Sequence, residues 1–163
     1  MEVAQCTYSI KKLILKNLIC YTLPTCEKSI IPGTLQIKKV IAELNSCAIK
    51  HGGQPSGPLI MKTSVLRTDQ LGNKTYTVYM QQLDMNIQDV EEPYIIEKSI
   101  VIPNCVHLLF KGNTEDFIYL FYKTISLIKY ENMIPSKDTF TLFTPESNNN
   151  DCIAAELYIP VMF

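Results

Sequence analysis

The sequence is similar to itself. One gapless shift of 79 positions carries Thr22-Leu23-Pro24-Thr25-Cys26 onto Val101-Ile102-Pro103-Asn104-Cys105, Gly33-Thr34 onto Gly112-Asn113, Lys50 onto Lys129 and Tyr79-Met80 onto Tyr158-Ile159. Four matches in one register across half the chain imply an internal duplication. A duplicated chain folds as copies of one small unit, each of which must bury a face against its neighbour. The expectation is a single domain over 1–163 built of two repeats, about 10–90 and 91–163.

Each copy reads as strand, helix, strand, strand. In the first, a strand rich in Ile and Leu over 13–21 stops before Pro24. A helix over 34–50 follows, in which Ile37, Val40, Ile41, Leu44 and Ala48 recur at three- and four-residue spacing and form one apolar stripe. Gly52-Gly53 ends it, where a positive φ is wanted. Strands over 59–66 and 74–83 are joined as a hairpin by Asp69-Gln70-Leu71-Gly72-Asn73. The second copy has a strand over 95–102, resuming toward 110, and a helix over 114–131 with Phe117, Leu120, Phe121, Ile125 and Ile128 inward. Asn113 or Thr114 caps that helix, and Glu115 and Asp116 suit the positive end of its dipole. A strand over 139–143, a polar loop at 147–151 and a closing strand over 153–161 complete it.

The fold class this predicts is α+β: duplicated strand-helix-strand-strand modules with pseudo-twofold symmetry, antiparallel sheet, two helices and a central cleft. One helix per unit covers one sheet face. The other face is still apolar, because Tyr76, Val78 and Met80 alternate along the third strand, so it too must meet something. Two units related by a twofold axis leave a groove between them, with Glu91-Glu92-Pro93 as the hinge.

Composition narrows the function. Apolar residues at 47% and charged residues at 19% suit a packed globular core. Fifteen basic residues against 16 acidic ones give a net charge of -1, without the basic excess of a nucleic-acid partner. No apolar run approaches the roughly 20 residues a bilayer demands, and Lys11, Lys12 and Lys16 interrupt the N-terminal apolar residues, unlike a signal peptide. The expected location is cytoplasmic, with no membrane partner. The cysteines at 6, 20, 26, 47, 105 and 152 form no C-x-x-C pair and read as small buried hydrophobes. No metal or cofactor motif is present, and His51 and His107 lack ligand-spaced partners.

The closing string Ala155-Glu156-Leu157-Tyr158-Ile159-Pro160-Val161, with Gly57-Pro58-Leu59 in the first copy, resembles the GyrI-like superfamily. These are the effector-binding domains of bacterial transcription activators such as BmrR, whose last strand commonly reads T-E-I-Y-I-P-I. Ala155 stands where the family has Thr. The resemblance implies a cleft that holds an amphipathic aromatic or cationic small molecule beside a buried acid, which falls on Glu156. Two features depart from the family: the chain has no Trp and no helix-turn-helix segment, so it would be a stand-alone effector-binding domain.

Glu156 is the one charge in an otherwise apolar strand, and a buried carboxylate asks for a partner. Tyr158 shares its face by the two-residue strand period. Tyr79, the 79-shifted mate of Tyr158, is a second candidate wall, and Tyr76, Tyr21 and Phe110 are weaker ones that could stack on a planar or cationic ligand. His107 reads as structural. Two other functions fit the same fold. One is a protein-interaction module, a gyrase-inhibitor-like protein or a toxin-operon accessory, which would present an exposed apolar patch or free edge strand. The other is a hydrolase of cyclopropane-bearing compounds, which would use Glu156 and a tyrosine to assist water attack.

Overall fold

The computed structural model describes residues 8–22, 34–68, 72–144 and 152–163. Leu23 to Cys26, Gly33, positions 69–71 of the hairpin turn, the 147–151 loop and Cys6 lie outside the described residues. The elements run β1 (Ser9–Thr22), α1 (Thr34–Lys50), β2 (Pro55–Thr68), β3 (Gly72–Leu83), β4 (Tyr94–Gly112), α2 (Thr114–Tyr130), β5 (Ile134–Pro135), β6 (Asp138–Phe143) and β7 (Ile153–Met162). All strand pairings are antiparallel, and the class is α+β as the sequence predicts.

Apart from the two-residue β5, which the second half alone has among the described residues, the two halves run in the same order of elements and pair alike. β1 pairs with β3 and β3 with β2, while β4 pairs with β7 and β7 with β6. Between halves, β1 pairs with β4 and β2 with β6. β4 is 19 residues long. Its register with β1 runs from Ser9↔His107 to Tyr21↔Tyr94, and its far end pairs with β7 from Cys105↔Pro160 to Gly112↔Ile153. The strand order β4-β1-β3-β2-β6-β7 thus closes back onto β4. The gapless residue register of the self-similarity does not carry through. Tyr79 packs on the helix side of the sheet and Tyr158 on the other.

Each sheet face has its own core. On one, α1 sets down Val40, Leu44 and Ala48 and α2 sets down Phe117, Phe121 and Ile128, against Ile19, Met61, Tyr79, Val106, Leu157 and Ile159 of the strands. The spacing of these helical residues is the stripe the sequence shows. Each large side chain fully buried there contributes about 1.5–3 kcal/mol. The helices end where the chain allows it. Gly52 has φ 86 and the next amide, Gly53 N–H, donates to Ala48 O at 2.9 Å. Asn113 caps α2 by accepting from Asp116 N–H at 2.8 Å.

The opposite core contains strand residues only: Leu13, Leu15, Leu18, Cys20, Ile60, Met80, Cys105, Phe140 and Leu142. Leu13 and Leu15 are odd-numbered, Leu18 and Cys20 even-numbered, yet all four face this side. The change of parity falls at Asn17, whose φ of 53 lies in the left-handed region that Asn tolerates better than most residues. One residue out of the pleat lets β1 keep the same face turned inward as the sheet coils.

Candidate functional site

The helix-free face holds a cavity of about 470 Å³. Both halves of the chain line it. The first half gives Cys20, Thr22, Lys62, Val78 and Met80, and the second gives Ile95, Glu97, Ile100, Ile102, Ser136, Asp138, Phe140 and Pro160. Strand pairing explains the gathering. Cys20 stands opposite Met80 and Ile95, Lys62 opposite Val78 and Phe140, and Ser64 opposite Asp138. The floor is therefore built from neighbouring transverse rows across β4, β1, β3, β2 and β6, made from residues far apart in sequence.

Its charge is unevenly matched. Lys62 Nζ lies 3.8 Å from Asp138 Oδ2, and Ser64 Oγ donates to Asp138 Oδ1 at 2.5 Å. Glu97 lines the opposite side, and forms no ion pair among the described residues. Cys20 sits between them, 6% exposed. Burial first and the Glu97 carboxylate second push its thiol pKa up to about 12, against the pull of Lys62. This thiol is no nucleophile near neutral pH.

Glu156 lies on the same sheet face. Its side chain is 33% exposed, and its Oε1 sits 3.0 Å from Nε2 of His107, which is 5% exposed. The register explains the pair. Leu109 is opposite Glu156 and His107 opposite Tyr158, so His107 and Glu156 are diagonal neighbours on one face. The His107 and Tyr158 rings are tilted, with centroids 4.7 Å apart. Burial, then Glu156, then Cys105 hold the Tyr158 hydroxyl above its ordinary pKa. The sequence reads His107 as structural; in the fold it is buried and partners the acid.

The six sequence candidates divide by face. Glu156 and Tyr158 are together, and Tyr76, 37% exposed, lies on β3 in phase with Val78 and Met80. Tyr79, 1% exposed, is packed into the helix-side core. Tyr21 meets Tyr94 on that same side, with centroids 5.8 Å apart, and Phe110 meets Phe117 edge-on at 5.2 Å. The cavity lining itself is made by other residues. Sequence reasoning does not single out Lys62, Glu97, Asp138, Ile100 or Phe140. The one local signal is Lys62 after the apolar run Leu59-Ile60-Met61, and it identifies no partner without the fold. Among the described residues no group of three or more His, Cys, Asp or Glu side chains could hold a metal, and no helix is long and apolar enough to cross a membrane. Cys20 and Cys105 are buried free thiols, and Cys47 and Cys152 are half-buried ones.

No family model matches the sequence, and no curated protein matches it. Solved structures do. The EcmrR C-terminal domain aligns with TM-score 0.56 at 12% identity, over 95% of this chain and 98% of that one. An uncharacterized conserved protein from Listeria innocua aligns with TM-score 0.55 at 11% identity, covering 94% and 92%. A hydrolase from Listeria innocua aligns with TM-score 0.54 at 9% identity, covering 98% and 94%. At such identities the likeness is one of fold, and it spans nearly the whole of each chain. The chain has the fold of the EcmrR C-terminal domain, the GyrI-like fold that its closing strand implied.

Proposed function

We propose that this protein binds a small amphipathic molecule, aromatic or cationic, in the cavity between its two halves. The observation that carries this is the cavity itself. Its volume of about 470 Å³ falls within the range of small-molecule sites, its walls are chiefly Val78, Met80, Ile95, Ile100, Ile102, Phe140 and Pro160, and a few polar groups converge on it. The fold shared with the EcmrR C-terminal domain supports the same conclusion. Phe140 offers a ring for stacking, and Met80 offers a soft, adaptable wall. Tyr158 borders the site, since Phe140 is its register partner, and Glu156 lies beyond it on the same face.

The test uses the absence of Trp from the chain. Val78→Trp puts a bulky side chain into the cavity and makes it the sole indole reporter. Binding of an environment-sensitive aromatic dye is expected to fall at least tenfold in this variant with the melting temperature kept. Equal dye affinity in Val78→Trp and the parent would remove the cavity as the site.

A second reading, hydrolysis, is favoured by the His107–Glu156 pair beside Tyr158, an arrangement that can position a proton acceptor. One of the Listeria innocua proteins that share the fold is itself a hydrolase. Turnover of a cyclopropane-bearing ester that Glu156→Gln abolishes would establish it. Dye binding without any turnover of such compounds would leave the binding role alone.

A further inference from the structure

The charge of the ligand can be read from the cavity. The lining includes three charged side chains, Lys62, Glu97 and Asp138, and their formal sum is -1. Two of them are matched to each other. Asp138 has one carboxylate oxygen held by Ser64 Oγ at 2.5 Å and the other facing Lys62 Nζ at 3.8 Å. Glu97 stands on the other wall, on β4, without an ion-pair partner among the described residues. Glu156 is off the lining and already paired with His107 at 3.0 Å.

On the reading that the cavity binds a small amphipathic molecule, we infer that Glu97 is the carboxylate that holds the ligand's charge and that the Lys62–Asp138 pair restricts the site to a monocationic amphiphile. The walls between them are apolar, so a charge brought in must find an opposite charge there. A single cation meets Glu97 and leaves the cavity neutral. A second cationic centre at the far wall meets an Asp138 already engaged by Lys62 and Ser64. An anion faces a net negative lining. The thiol of Cys20 supports the placement, because the field of Glu97 raises its pKa and that of Lys62 lowers it, so both charges reach the floor. Glu97 is solvent-exposed, so its effect is moderate and salt-sensitive.

The experiment measures the dissociation constants of three dyes built on one aromatic scaffold, neutral, with one quaternary ammonium, and with two. It compares the full chain with Glu97→Gln, Glu156→Gln, Lys62→Met and Val78→Trp, at low and high salt. The parent is expected to prefer the monocation to the neutral dye by about fivefold, the upper end for an exposed charge pair. Glu97→Gln erases that preference while neutral-dye affinity stays, and Glu156→Gln keeps it. Lys62→Met releases Asp138 and raises dication affinity. Retention of the monocation preference in Glu97→Gln, or its loss in Glu156→Gln, overturns the inference. So does charge-blind binding that Val78→Trp blocks, and in that case the cavity reading survives alone. Failure of all three dyes to bind overturns both.

Discussion

The buried thiol at Cys20 gives the sharpest quantitative test of the helix-free core. Its pKa is about 12 in the folded chain, against an ordinary 9.0 that serves for the unfolded one. Folding therefore favours the neutral thiol. The sign follows: this contribution is fully present below pH 9 and is lost as the pH climbs toward 12, where the unfolded chain ionises and the folded one does not. At pH 10.5 the interval above the unfolded pKa is 1.5 units, worth about 2 kcal/mol at about 1.4 kcal/mol per unit. Other groups titrate in the same range, so the measurement has to be a difference. Cys20→Val removes the thiol and leaves the rest. Urea denaturation of parent and variant at pH 7.5 and pH 10.5 gives four free energies. The parent is expected to lose about 2 kcal/mol more than the variant between the two pH values. An equal loss in both would mean that the Cys20 thiol is hydrated in the folded state, and the floor of the cavity with it.

Three further outcomes test other parts of the structure. Ile128→Ala removes a fully buried side chain under α2 and is expected to cost about 2–5 kcal/mol in chemical denaturation, whereas the same change at exposed Ile49 should cost little. His107→Leu leaves the Glu156 carboxylate without its partner and is expected to cost more than the His107→Leu, Glu156→Leu double variant, a non-additivity that a double-mutant cycle reads directly. Gly57→Ala, at φ 85, is expected to lower stability by about 1 kcal/mol from backbone strain alone, since the added methyl meets only Gln82 Nε2 at 3.6 Å.

What the sequence shows well is what local period determines. The stripe Val40, Leu44 and Ala48 is buried as its spacing requires, and Asn113 caps α2. β4 is harder, because Pro103 interrupts its pattern and argues for two short strands. The structure keeps one strand by placing a bulge there. Lys11 pairs with Cys105 and Leu13 with Ile102, so Pro103 and Asn104 together face Lys12 alone. The extra residue absorbs the missing N–H of proline. The faces of Tyr79 and Tyr158 show the opposite limit. Self-similarity sets them in register, but the strand period is two, and an offset of one residue turns a side chain from one core to the other. The cavity is not legible for a further reason. Its lining spans five strands, and only the pairing registers bring Glu97, Cys20, Lys62 and Asp138 to one place.

The separation of Glu156 from the cavity follows from where β4 changes partners. Pro160 lines the cavity and faces Cys105, the point at which the β4–β7 pairing begins. Before that point, Ile95 to Ile102 pair with β1 alone among the described strands, and Ile95, Glu97, Ile100 and Ile102 of this stretch line the cavity. Beyond it the sheet is complete. Glu156 is four residues from Pro160, about 13 Å along the strand, and is flanked by Leu109 of β4 and Leu142 of β6. Glu156 is not part of the cavity lining, and its carboxylate has its counterpart inside the fold, at His107. Glu97 lines the cavity on the stretch of β4 that has β1 as its one partner among the described strands.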